Sequence, residues 1–405
     1  LTQPVNYIAF LKDVFVLSIS SFGGPQAHLA HFQKMLAQKR QYVTEAELIE
    51  LNALCQVLPG PTSTQTLSAV GYKLGGPNLA YLTLLIWMLP SVTIMTVAGL
   101  LIGSFDSKQV FAFTRFIQPM AVGLVAYAAY TMGLKAIARF RAVLIMLGAG
   151  LISFYIKTPF VFPIVLLIAG VITAFNYKVY PREEKKKFEV PWANFFLWIG
   201  VLILAAILGS LTKNTPSFLP VRLFENFYRN GSLIFGGGQV LTPLLHTEFV
   251  QFAKPTIEGI REPYLTNQEF LSGYALAQSL PGPVFSFSSY VGALAMHSRG
   301  FGMGSQVLGG VMAAIGIFLP GTFLIFFMFR IWESLKKFRP IRASLEGINA
   351  ASVGLVTAAA FTLFQPLEGS FLNYSFMIAT FLLVAFTKIP SWAVIASGLI
   401  LGFLL

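Results

Sequence analysis

The chain is expected to fold as an all-α polytopic membrane protein, with two homologous halves forming an inverted-topology repeat that contains re-entrant helical hairpins. Three observations predict this: an apolar composition, a set of bilayer-length apolar runs, and a collinear internal repeat whose loop charges change side. Of 405 residues, 56% are hydrophobic and 11% charged, and mean hydropathy is +0.71, whereas a soluble domain carries about 25% charge. High hydrophobicity excludes intrinsic disorder, and Cys55, the single cysteine, excludes an internal disulfide framework. The net charge of +12 is read as cytoplasmic loops, and no nucleic-acid partner is expected. Lys12 and Asp13 interrupt the first apolar stretch, so insertion is expected to use the mature hydrophobic segments and not a cleaved signal.

A spanning helix needs about 20 apolar residues. Full-length candidates are residues 77–103, 110–134, 192–211, 301–329 and 345–364, with shorter ones at 142–156, 160–177, 371–386 and 390–405. Gly- and Pro-punctuated pieces too short to span lie at 5–22, 26–37, 44–58 and 62–74, and again at 221–235, 239–252, 266–280 and 284–297. Four basic clusters are assigned to the cytoplasm: Lys34 to Arg40, Lys135 to Arg141, Lys178 to Lys187, and Arg330 to Arg342.

The repeat accounts for the short pieces. Phe22-Gly23-Gly24-Pro25-Gln26 recurs as Phe235-Gly236-Gly237-Gly238-Gln239, Tyr42 to Glu47 as Tyr264 to Glu269, and Gln56-Val57-Leu58-Pro59-Gly60-Pro61 as Gln278-Ser279-Leu280-Pro281-Gly282-Pro283. Leu89-Pro90 then matches Leu319-Pro320, and Val122 to Val125 matches Val353 to Val356, in the same order. Equivalent loops carry opposite charge signals. The basic loop Lys34 to Arg40 matches the charge-balanced loop Lys254 to Glu262, and the loop around Asp106 matches the basic Arg330 to Arg342, as inverted insertion requires. The expected organisation is a first membrane repeat over residues 1–178, a basic linker plus spacer helix over 179–218, and a second repeat over 219–405. Each half is expected to contribute two re-entrant hairpins.

Irregular backbone at membrane depth persists where it is buried in protein or lines a wet cavity. A helix N-terminus there offers unpaired N–H groups and a positive dipole end, an anion site that needs no Lys or Arg. The candidate substrate residues are Gly23, Gly24, Gln26 and His28 at the first Phe-Gly-Gly element, and Gln56, Gly60, Thr62, Ser63, Thr64 and Gln65 at the first Pro-Gly-Pro tip. In the second half they are Gly236, Gly237, Gln239, Gln278, Gly282 and Ser286. The alternative is plain punctuation, since Pro and Gly are frequent in transmembrane helices and Thr or Ser after Pro starts helices generally. Gln56 and Gln278 either lace their hairpins or face the substrate. Glu47 and Glu269 are matched ionisable residues and candidates for coupling, but each follows a threonine by three, which also reads as a capping box. Lys73 either snorkels or attracts anions; its counterpart Ala295 is neutral. No spacing supports a metal site, no cofactor is expected, and no P-loop or nucleophile-elbow motif suggests an enzyme.

The Phe-Gly-Gly-Pro element and the stretch from Gln56 to Gln65, with second-half copies at Phe235 to Gln239 and Gln278 to Pro283, resemble the chromate transporter family, in its long bidomain form. The resemblance covers nearly the whole chain and implies export of chromate, with sulfate as its analogue, across the bacterial cytoplasmic membrane, giving chromate resistance. The expected partners are that oxyanion, the lipid bilayer and, among the open assemblies, a second copy in a homodimer. The second half departs from the first at Gly238 and at Val284-Phe285-Ser286, which favours one asymmetric site over two. An oxyanion-selective channel, a sulfate uptake protein and a membrane-embedded scaffold with merely structural tips are the alternative readings.

Overall fold

The computed structural model describes residues 6–22, 24–104, 115–137, 139–156, 158, 160–175, 192–212, 215–234, 240–251, 254–255, 261–335, 338–365, 367, 369–387 and 389–404. The expected linker at Lys178 to Lys187, the loop around Asp106 and the element Phe235 to Gln239 lie outside these residues. Sixteen α-helices are present among the described residues, with one two-residue antiparallel pair, Lys254–Pro255 against Arg261–Glu262.

The first half opens with α1 (Tyr7–Ser20), α2 (Gly24–Phe32) and α3 (Glu45–Val57). Asn6 caps α1 by accepting from the Ile8 and Ala9 N–H groups. Beyond α2 the chain winds into a π-helical turn, Gln33–Lys39, which the apolar run alone did not signal. It returns against α1, where buried Asp13 accepts from Arg40 Nη2 at 2.9 Å and from the Tyr42 hydroxyl at 2.7 Å. Burial and that carboxylate push the Tyr42 phenol up to about 12.

α4 (Thr62–Ser104) has two arms, because Gly75 and Gly76 leave helical geometry, Gly76 at φ +72°. The arms fold back: a Cβ on Gly71 would lie 3.2 Å from the Ala80 Cα, which a straight helix would put about 13 Å away along its axis. The expected break between a re-entrant arm and a crossing helix is thus present at that glycine pair. α5 (Ile117–Ala136), α6 (Phe140–Tyr155) and α7 (Val161–Ala174) complete this half, and α8 (Trp192–Leu211) follows. On α8 only Ala205 is buried, while Ile203, Leu204 and Ile207 are exposed, as for a helix in lipid.

The second half repeats the plan with α9 (Leu219–Leu233), α10 (Leu241–His246) and α11 (Asn267–Ser279), then α12 (Phe287–His297), α13 (Met303–Leu335), α14 (Arg339–Phe364), α15 (Phe371–Phe386) and α16 (Ser391–Leu404). α10 also runs into a π-helical turn, Thr247–Gln251, so this irregularity is part of the repeat. Among the described residues five helices are long and apolar enough to cross a membrane: α4, α8, and the apolar parts of α5, α13 and α14 at Ile117–Leu134, Met303–Trp332 and Ala343–Phe364. The protein is a multi-pass membrane protein.

Contact order along the helices fixes the relation between the halves. Val92, Gly99 and Gly103 on the second arm of α4 meet Ser289, Ala293 and His297 on α12, so these two run parallel. Gln65 and Tyr72 on the first arm meet Gly321 and Phe326 on α13, also in parallel. Since each hairpin is internally antiparallel, repeat-equivalent helices point in opposite directions, which is the inverted topology read from the loop charges. The halves also interlock. Gly123 of α5 packs on the Met377 backbone of α15, and its repeat partner Gly354 of α14 packs on the Met146 backbone of α6; glycine permits such close helix approach.

Candidate functional site

Each Pro-Gly-Pro tip needs its glycine. Gly60 and Gly282 sit at φ +115° and +91°, a region L side chains avoid, and a Cβ on Gly282 would lie 3.2 Å from the Ser18 carbonyl oxygen. Each tip is held by the opposite half. The Gly60 N–H donates to the Ile234 carbonyl at 2.7 Å, and the Gly282 N–H to the Ser21 carbonyl at 2.9 Å. Those acceptors immediately precede Phe235 and Phe22. Every junction therefore joins the tip of one half to the Phe-Gly-Gly start of the other.

The two tips also face each other. Between them lies a cavity of about 10 Å³, lined by His28, Pro61, Thr62 and Ser63 on one side and Pro283, Val284 and Phe285 on the other. That is room for about one water, less than a five-atom oxyanion occupies. The cavity abuts the first turn of α4, whose leading N–H groups have no partner within the helix. His28 Nδ1 and Ser63 Oγ lie 3.1 Å apart in buried surroundings. His28 is 1% exposed, and its Nε2 completes no hydrogen bond among the described residues, although the Ser21 backbone borders the ring. Either imidazole tautomer leaves the pair one donor to spare, the Ser63 O–H or the His28 Nε2–H.

Trp87 and Gln65 support this pair from behind. Trp87 Nε1 donates to Thr64 Oγ1 at 3.0 Å, and the indole meets the His28 ring edge-on with centroids 5.3 Å apart. Gln65 laces the tip from within, its Nε2 donating to the Pro59 carbonyl at 2.6 Å. In the second half the repeat register puts Leu241 for His28, Val284 for Thr62, Phe285 for Ser63, Phe287 for Gln65 and Ile317 for Trp87. The matching positions are apolar, except that Ser286 stands for Thr64. Ser286 is buried, and its carbonyl accepts from the Ser289 hydroxyl at 2.7 Å.

The other sequence candidates are placed as follows. Gly24 starts α2 at φ +79°. Gly23, Gly236, Gly237 and Gln239 lie outside the described residues, as does the Gln26 side chain. Gln56 is exposed and Gln278 half-buried, and neither lines the cavity. Glu47 and Glu269 complete capping boxes: the Thr44 N–H donates to Glu47 Oε2 at 2.9 Å and the Thr266 N–H to Glu269 Oε2 at 2.7 Å. Glu47 also pairs with Lys73, which with the Thr44 backbone holds its carboxyl below the usual range. Sequence reasoning did not single out Trp87, Val284 or Phe285 as part of the site; the signal available for Trp87 was its place three residues before the repeat-matched Pro90.

Inverted halves, re-entrant hairpins and a polar pocket where their tips converge define a multi-pass membrane protein of the inverted-repeat type, whose members carry solutes at such helix ends. The chain belongs to the chromate transporter family, whose profile matches residues 8–174 and 221–403, covering both halves. The family is one of transporters, not of enzymes. The chain is 25% identical to an uncharacterized transporter of Methanocaldococcus jannaschii, over 98% of this chain and 93% of that protein. It is also 25% identical to a probable chromate transport protein of Synechococcus elongatus (96% and 91% covered) and 23% identical to a chromate transport protein of Cupriavidus metallidurans (99% and 94% covered). No solved structure matches the chain.

Proposed function

We propose that the protein is a secondary transporter that exports chromate, and sulfate as its analogue, across the bacterial cytoplasmic membrane and thereby gives chromate resistance. The observation that carries this reading is the pocket at the start of α4, where His28, Thr62 and Ser63 gather donors around a helix N-terminus without a cation. Neutral N–H and O–H donors suit a tetrahedral dianion that must also be released. Export down an inside-negative potential is favourable by about 2.3 kcal/mol per charge per 100 mV, so a dianion needs no ATP. A cavity of one water's size, beside hydrogen bonds that tie each tip to the opposite half, favours a carrier that rearranges over an open filter.

The test is chromate and sulfate flux in proteoliposomes holding the purified protein, with and without an imposed potential. Saturable flux of both anions, rising with potential and lost when Thr62, Ser63, Thr64 and Gln65 are together replaced by Ala, is the expected result. Undiminished flux in the folded quadruple variant would remove the site, and absence of flux for either anion in the wild type would remove the substrate.

A further inference from the structure

A second cavity with buried polar groups lies on the far side of the Gly60–Ile234 junction. α9 carries Arg222, Glu225, Asn226, Arg229 and Asn230, spaced three and four apart, so polar groups run along one helix face and end one turn before Ile234. Asn226 and Asn230 are buried, at 7% and 1% exposed, while Arg222, Glu225 and Arg229 are half-buried. The repeat-matched positions on α1 are Ala9, Lys12, Asp13, Val16 and Leu17, so the inner end of the stripe, Arg229 and Asn230, has apolar counterparts and belongs to the second half alone. Ionisable groups packed inside a membrane protein call for a functional reading by default.

Arg229 stands near the inner end of the stripe. Its Nε donates to Glu225 Oε1 at 2.9 Å and its Nη2 to Asn226 Oδ1 at 2.9 Å, while Glu248 Oε1 is 3.6 Å from Nη2, beyond hydrogen-bond range. Beside it, Asn230 Nδ2 is buried without a hydrogen-bond partner among the described residues. Arg229 and Asn230 together line a cavity of about 10 Å³ whose other walls include Phe160, Leu233 and Val240. Ile234 lines it as well, and the Ile234 carbonyl accepts the Gly60 N–H, one residue from the Pro61 that lines the tip pocket. The two cavities thus flank a single hydrogen bond.

We propose that this second cavity is a weaker oxyanion station on the anion's path between the tip pocket and the surface at the start of α9. The proposal rests on the reading of the tip pocket as an oxyanion site. Arg229 and Asn230 supply N–H donors, and an unmet buried amide donor calls for an acceptor. The Glu225 and Glu248 carboxylates together outweigh the single Arg229 guanidinium, so an anion is held there only weakly and is readily released, as a station on a path requires. Glu248, ion-paired with Arg229 at 3.6 Å, is the group an incoming oxyanion displaces from it. Passage between the cavities opens the Gly60–Ile234 hydrogen bond.

The test uses full-length protein and position 230, which carries no charge. Asn230→Ser keeps a donor, Asn230→Leu installs the residue found at the matching Leu17, and Asn230→Asp sets a carboxylate in the anion's way without changing shape. Chromate flux into proteoliposomes is expected to fall in the order wild type, Asn230→Ser, Asn230→Leu, Asn230→Asp, with about a tenfold loss for Asn230→Leu. Equilibrium chromate binding at the tip pocket stays within about twofold of wild type, since the variants touch only the station. Equal losses in all three variants would mean packing alone, and wild-type flux in all three would mean no station; either outcome overturns the proposal. If Ser63→Ala removes binding while the Asn230 variants transport normally, only the station is refuted. Wild-type protein that neither binds nor transports chromate or sulfate would refute the tip-pocket reading as well.

Discussion

At the residue scale the pocket depends on one imidazole held in place by three neighbours. Ser63 fixes Nδ1, Trp87 packs edge-on, and Phe32 closes the cluster with its ring 5.5 Å from the indole. The free Nε2 or its alternative, the Ser63 hydroxyl, is the polar hydrogen an oxyanion would take. Replacing His28 by Leu, the residue at the matching position 241, keeps the volume apolar and removes either the imidazole N–H donor or the ring nitrogen that orients the Ser63 hydroxyl. A hydrogen bond to a charged group contributes about 1.5–3 kcal/mol, so chromate affinity should drop roughly 10- to 100-fold in His28→Leu. Trp87→Phe removes only the support on Thr64 and should weaken affinity by a few-fold. Isothermal titration of the purified variants with chromate measures both; equal affinity in His28→Leu and wild type would discharge the histidine from the site.

At the element scale the repeat is written in caps and tips. Thr44 and Thr266 have nearly the same N-cap geometry, ψ 160° and 159°, and each shares a reciprocal pair of hydrogen bonds with the glutamate three residues on. Replacing either threonine by Ala should cost about 1 kcal/mol, read as a lower unfolding midpoint in detergent with chromate affinity unchanged, because neither cap borders the pocket. A loss of affinity matching the loss of stability would place the caps in the site. These caps were legible in sequence, because Thr-x-x-Glu ahead of an apolar run has a local cause. So were the helix bounds at residues 371–386, where turn residues flank a continuous apolar run. The π-helical turns at Gln33–Lys39 and Thr247–Gln251 were not legible, since a one-residue change in winding leaves the apolar pattern almost unaltered. The break inside α4 falls between the apolar pieces 62–74 and 77–103 set out from sequence, and the structure puts its cause at Gly75 and Gly76, which leave helical geometry ahead of Pro77.

At the scale of the whole molecule, a pseudo-symmetric frame holds an asymmetric pocket. Crossed junctions tie Gly60 to Ile234 and Gly282 to Ser21, and Gly123 and Gly354 each reach across to the other half. A tip therefore cannot move without disturbing the opposite half's Phe-Gly-Gly start, a coupling suited to alternating access. The sequence comparison of the halves already indicated asymmetry at Val284-Phe285. It did not show that the two tips share one cavity, because that contact joins residues more than 200 apart in sequence and depends on how inverted halves interlock. Nor did it reveal Trp87, whose role arises only when the arms of α4 fold together.

The most direct test of a single tip pocket is the stoichiometry of equilibrium chromate binding to the purified protein, with Ser63→Ala and Phe285→Ala variants in parallel. The expected result is one tightly bound anion per chain at the tips, with affinity reduced at least tenfold in Ser63→Ala, where a hydroxyl is lost, and nearly unchanged in Phe285→Ala, where an apolar wall is trimmed. Two equivalent tight sites per chain, or binding that survives Ser63→Ala and fails in Phe285→Ala, would contradict it.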